Sequence, residues 1–203
     1  MKDWVGNKNA NWKTIGASNH TDKEREKHDF YCTDPIAIDV LLDEGHAELA
    51  HRIWEPCCGN GSLSKRLEER GYKVYSTDLI DRGYGKGGCD FLSVKKENVW
   101  NGSIVTNPPY SLAYECIEQA LKLVTLGNKV FMFLKIQFLE GKKRRKIFDT
   151  GQLKTLYVSS SRILCAKNGE FKKMKAGGGS AVAYGWYEFE KGYSGDPIIK
   201  WIN

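Results

Sequence analysis

Gly102-Ser103-Ile104-Val105-Thr106-Asn107-Pro108-Pro109-Tyr110-Ser111 passes from a short apolar run into a polar, proline-stiffened loop. The run reads as a buried strand and the loop as its carboxyl end, which is where open α/β sheets carry their chemistry. Two consecutive prolines donate no backbone hydrogen bonds and hold φ near about −65°, so Asn107 is extended and its carbonyl and that of Pro108 stay free to accept. An Asn side-chain oxygen beside such a carbonyl can take both hydrogens of a planar amino group, and Tyr110 adds a flat face next to them. Alone, Asn-Pro-Pro-Tyr is equally an ordinary strand stop and turn. What lies upstream decides between the two.

Arg52-Ile53-Trp54 reads as a strand ending in Glu55-Pro56-Cys57-Cys58-Gly59-Asn60-Gly61-Ser62-Leu63, with a helical run through Leu63 and Leu67 behind it. Strand, glycine turn and helix make a nucleotide-binding unit, in which Gly59 and Gly61 permit a tight turn and close backbone approach. Ser64 stands where the dinucleotide fingerprint needs its third glycine, which weakens a pyrophosphate reading. The acid at the strand end favours a ligand with a positively charged end. The next strand, Tyr72 to Thr77, ends at Asp78, nineteen positions after Gly59 and near the ~20-residue offset at which an acid meets ribose hydroxyls. A strand-end acid also serves as a cap. Residues 81–88 read as a flexible glycine-rich loop without the ending of a phosphate-binding loop. Before all of this, Asp34 and Pro35 open a helix whose apolar face carries Ile36, Val40, Leu41 and Leu42.

Taken together, these stretches resemble the amino methyltransferases that use S-adenosylmethionine, the adenine-N6 DNA methyltransferases above all, in the small phage-type arrangement. Asn-Pro-Pro-Tyr resembles their motif IV and Glu55 to Gly61 their motif I. Phe30, Tyr31, Thr33 and Pro35 resemble motif X, with Asp78 at motif II and Cys89-Asp90-Phe91-Leu92 at motif III. The resemblance implies a class I, Rossmann-like fold. It implies that Phe30, Tyr31, Thr33, Glu55, Pro56, Cys57, Gly59 and Gly61 hold the methionine part of S-adenosylmethionine, Asp78 the ribose, and Asp90 and Phe91 the adenine. It further implies that Asn107 and Pro108 hold the target amino group, that Pro109 stiffens the loop, and that Tyr110 stacks on a base flipped out of its helix.

The remainder fits an α/β fold. A helix from about Leu112 to Leu126 and a continuously apolar strand from Lys129 to Leu134, expected to be central and parallel, continue the alternation of strands and helices. Leu153 to Ser159 and Ser180 to Phe189 read as strands of a closing antiparallel hairpin. The expected architecture is therefore a doubly wound, mostly parallel sheet with a C-terminal antiparallel hairpin, in one domain over 28–203. Residues 1–27, polar and without period, read as a mobile arm. The apolar end of the tail, Ile198 to Ile202, is expected to dock on the body.

Lys and Arg exceed Asp and Glu by 31 to 25, a net charge of +6 that mildly favours a polyanionic partner. Lys142-Lys143-Arg144-Arg145-Lys146 is the densest positive run; it reads either as a solvated helix face or as a phosphate-contacting element. The segment carrying Arg162, Lys172 and Lys173 poses the same choice. The six cysteines lack C-x-x-C spacing and no apolar run is long enough to span a bilayer, which points to a reduced, cytoplasmic protein without metal or membrane. The expected partner is nucleic acid, DNA ahead of RNA. RNA adenine, a glutamine side-chain amide in a protein, and a non-catalytic nucleic-acid-binding module are the alternatives.

Overall fold

The computed structural model describes residues 31–166, 171–172 and 182–203. The arm expected over 1–27, Phe30 and Lys173 lie outside them. Seven strands form the main sheet: β2 (Arg52–Glu55), β3 (Lys73–Ser76), β4 (Ser103–Thr106), β5 (Lys129–Lys135), β6 (Leu153–Ser159), β8 (Tyr184–Glu190) and β9 (Ile198–Ile202). Their order across the sheet is β3-β2-β4-β5-β8-β6-β9. The strands β3, β2, β4 and β5 pair in parallel, whereas β8 runs antiparallel to both β5 and β6. The expected closing hairpin is present, and β5 is central but parallel on one side only. The polarity switches there because β8 returns into the gap between β5 and β6 rather than extending the edge.

Helices α1 (Ile36–Asp43) and α2 (Ser62–Glu69) cover one face of the sheet; α3 (Ala113–Leu123) and α4 (Lys142–Phe148) cover the other. Alternate residues of β5 serve the two layers, as strand geometry requires: Phe131 and Phe133 pack with Ile38, Leu41, Leu63 and Leu67, while Val130, Met132 and Leu134 pack with Ile117, Ala120 and Ile147. Helix α1 begins one residue later than expected, with Pro35 at its N-cap position, and Asp34 Oδ1 accepts the Ile36 amide at 3.2 Å.

Two arrangements differ from expectation. The glycine-rich 81–88 segment folds back on the end of β3, with Lys86 N–H donating to the Ser76 carbonyl and Asp78 N–H to the Lys86 carbonyl. A two-residue ladder also joins β1 (Cys32–Thr33) to β7 (Cys165–Ala166), holding the segment before α1 against the chain that leaves β6.

Candidate active site

The carboxyl ends of β2, β3 and β4 open into a cleft of about 910 Å³, counted to its mouth. Tyr31, Thr33, Glu55, Pro56, Cys57, Gly59, Asp78, Asp90, Phe91, Asn107, Pro108, Pro109 and Tyr110 all line it. Gly61 does not. It is the left-handed residue (φ 79°) just before α2, and a Cβ there would lie 2.3 Å from the Tyr84 ring.

Asn107 is held by its amide nitrogen. That NH2 donates to Thr33 Oγ1 at 2.8 Å and faces the Tyr31 carbonyl at 3.5 Å. A backbone carbonyl only accepts, so its presence on that side fixes which end of the amide points there. Oδ1 is buried and has no hydrogen-bond partner among the described residues. Thr33 in turn ties the neighbouring loops together: its carbonyl accepts from the Ser62 hydroxyl at 2.6 Å, and the preceding Cys32 thiol donates to Asn60 Oδ1 at 3.3 Å.

At the other side of the cleft, Glu55 is buried, and burial pushes its carboxyl up to about 8 despite the hydroxyl of Ser64 donating to it; the charge of Asp78 acts in the same direction as burial. Asp78 accepts the Gly59 amide on Oδ2 (2.8 Å) and the Ile80 amide on Oδ1 (2.9 Å), so the acid locks the glycine turn to the end of β3. Each of its oxygens keeps a lone pair for a further donor. Asp90 caps the short turn Phe91–Ser93, accepting from Leu92 N–H at 3.0 Å and the Ser93 hydroxyl at 2.5 Å. Phe91 is buried edge-on against Trp54, ring centroids 5.3 Å apart, and lines the cleft. Leu79 (56% exposed), Ile80 and Leu112 are apolar walls that sequence reasoning missed; an apolar residue directly after a strand-end acid was the available signal.

Tyr110 does not present a bare ring. It lies near-parallel to Tyr31 with centroids 6.3 Å apart, contacts Tyr184 at 6.1 Å, and has Lys135 Nζ 4.7 Å from its centroid. Burial raises its hydroxyl pKa, so it stays protonated. Of the basic run, Lys143 pairs with Glu115 (2.6 Å) and Arg145 with Asp149 (3.2 Å). Lys142, Arg162 and Lys172 are exposed and away from the cleft lining, and only Arg144 turns toward Tyr110, across a second hollow.

No protein-family model and no curated protein matches the sequence. Solved structures do match in fold. A protein described as a hemolysin from Lactococcus lactis superposes with a TM-score of 0.57 at 14% identity, over 81% of this chain and 91% of that one. One described as a class I S-adenosylmethionine-dependent methyltransferase from Listeria monocytogenes does so at 0.57 and 12%, over 95% and 71%. The type I restriction-modification methyltransferase subunit from Streptococcus thermophilus matches at 0.54 and 11%, over 81% of this chain and 45% of that one. The chain therefore has the Rossmann-like fold of class I methyltransferases.

Proposed function

We propose that the protein transfers a methyl group from S-adenosylmethionine to the N6 amino group of adenine in DNA. The observation that carries this reading is the buried Oδ1 of Asn107, which has no partner among the described residues while its NH2 is held by Thr33. A buried acceptor without a donor costs about 1–3 kcal/mol, a cost that a ligand N–H removes. The cleft also fits the cofactor: a buried acid for its cationic amino acid end, a second acid for hydroxyls, and apolar walls at Leu79, Ile80 and Phe91 for a ring. S-adenosylmethionine, when bound, supplies a methyl group on a positively charged sulfur. Glu55, Pro56, Cys57 and Gly59 line the part that suits its methionine end, Asp78 the ribose, and Asp90 with Ile80 the adenine.

In this reading Asn107 Oδ1 and the Pro108 carbonyl accept the hydrogens of the target amino group, which makes its nitrogen more electron-rich and fixes its direction of approach. Pro109 keeps the loop stiff, and Tyr110, which lines the same cleft as Asn107, offers an aromatic ring beside the target base. A base inside a duplex cannot reach this site, so the target is a flipped or single-stranded base.

The test is methyl transfer from labelled S-adenosylmethionine to unmethylated DNA and to RNA, with nucleoside analysis by mass spectrometry. N6-methyldeoxyadenosine is the expected product. Asn107→Ala should lose about 100-fold or more in transfer while still binding the donor. Thr33→Val, which frees the amide, should lower kcat by about tenfold to 100-fold at similar donor affinity. Near-normal turnover by Asn107→Ala overturns the assignment, and label found only in RNA moves the substrate while keeping the chemistry.

A further inference from the structure

Next to the main cleft, and sharing Tyr110 with it, lies a second, open hollow lined by Tyr110, Ala113, Leu134, Lys135, Gln137, Phe138 and Arg144. Its two cations come from different elements: Lys135 ends β5, and Arg144 lies on α4. Among the described residues neither forms an ion pair, whereas their neighbours Lys143 and Arg145 both do. Lys135 rests on the Tyr110 ring, and Arg144 lies over Phe138 at 5.0 Å while donating to the carbonyls of Gln137 (3.1 Å) and Glu140 (2.9 Å).

The backbone beneath them is fixed. The hydroxyl of Tyr187, a fully buried residue, reaches the carbonyls of Lys135 at 3.1 Å and Ile136 at 3.2 Å, which pins the turn from β5 into the loop before α4. Two half-buried cations without a carboxylate partner among the described residues, on a braced backbone and beside a ring that also borders the cleft, make this hollow a candidate anion site.

We propose that Lys135 and Arg144 bind a backbone phosphate of the strand that carries the target base. This rests on the nucleic-acid reading above and deepens it: a phosphate held in the second hollow would lie beside Tyr110, the residue that this hollow shares with the cleft holding Asn107. Phosphate contacts of this kind set register and orientation without reading sequence. The arrangement also separates Arg144 from the rest of the basic run, which the sequence presents as one block.

The experiment is binding of the full chain to a fluorescent oligonucleotide across a salt series, with methyl transfer measured in parallel. Lys135→Gln and Arg144→Gln should each weaken binding by about tenfold at low salt and flatten the log–log salt dependence by about one contact, with the double variant losing about two. Lys122→Gln, an exposed cation on α3, should change neither. Because Arg144 also bonds two carbonyls, Arg144→Lys separates charge from scaffolding: it should keep the salt slope even where it lowers the melting temperature. The inference is overturned if wild type binds and both glutamine variants retain its salt slope, or if Arg144→Lys loses as much slope as Arg144→Gln. A wild-type chain that binds S-adenosylmethionine but neither binds nor methylates any nucleic acid removes the underlying reading as well.

Discussion

Glu55 shows how one residue can link pH to ligand binding. Its carboxyl is buried at the end of β2 and pushed up to about 8, against an ordinary 4.5, mainly by desolvation. A cationic ligand end beside it restores the charged form, so binding should release close to one proton at pH 6.5 and affinity should rise with pH until about 8. Calorimetry in buffers of different ionisation enthalpy reads that proton directly, and Glu55→Gln should abolish both the release and the pH slope. Stability moves the other way. The native state binds the proton more tightly than the unfolded chain, so the contribution of Glu55 is complete below pH 4.5 and is lost as pH rises through about 8. Wild type should lose melting temperature across that window relative to Glu55→Gln. The acid itself was legible in the sequence as a strand-end residue. Its protonation was not, because that depends on how deeply the folded chain buries the carboxyl, an effect that outweighs the Ser64 hydroxyl donating to it.

The glycine turn between β2 and α2 makes the corresponding point for an element. Sequence reasoning assigns both glycines to close approach of a ligand, and only Gly59 lines the cleft. Gly61 is required by its backbone and by Tyr84, whose ring fills the space a Cβ would take while its hydroxyl donates to Glu68 at 3.1 Å. Gly71, at the other end of α2, has a similar φ of 89° with nothing within 4 Å, so it isolates the backbone cost. Gly71→Ala should destabilise by about 1–2 kcal/mol. Gly61→Ala should add a further ~1–3 kcal/mol for the displaced ring. Equal urea midpoints for the two would show that Tyr84 does not press on the turn. Local patterns revealed the turn but could not reveal a packing partner from a later loop. The β1–β7 ladder escaped the sequence for the same reason: Thr33 and Cys165 lie 132 positions apart and pair over only two residues. The tail docks on the body as expected: β9 joins β6 through backbone pairing and Ile202 is buried in the core, while Ile198, Ile199 and Trp201 stay largely exposed.

At the scale of the molecule, the sheet keeps the candidate site and a buried ionic contact at opposite ends of β5. Lys135 ends the strand beside Tyr110, whereas Lys129 begins it and pairs with the buried Glu188 of β8 at 3.1 Å. Tyr157 of β6 donates to the other oxygen of Glu188 at 2.8 Å, so three strands meet on one carboxylate where the sheet changes from parallel to antiparallel. The alternation of strands and helices made the parallel half readable in advance. The antiparallel junction rests on this cross-strand contact, whose members are spread over some sixty residues of sequence. Removing one partner of a buried pair leaves a charge without compensation, so Lys129→Met should destabilise by about 3–5 kcal/mol. Replacing both, as Lys129→Met with Glu188→Leu, should recover much of that loss, since well-packed apolar groups often match a buried pair. Urea unfolding of the two single variants and the double variant measures the coupling. Because the contact lies at the amino end of β5, away from Asn107 and Tyr110, the double variant should leave the proposed methyl transfer unchanged at any temperature where it remains folded. A double variant as unstable as Lys129→Met alone would mean that the junction depends on the charge at Glu188 itself rather than on filling the space between β5, β8 and β6.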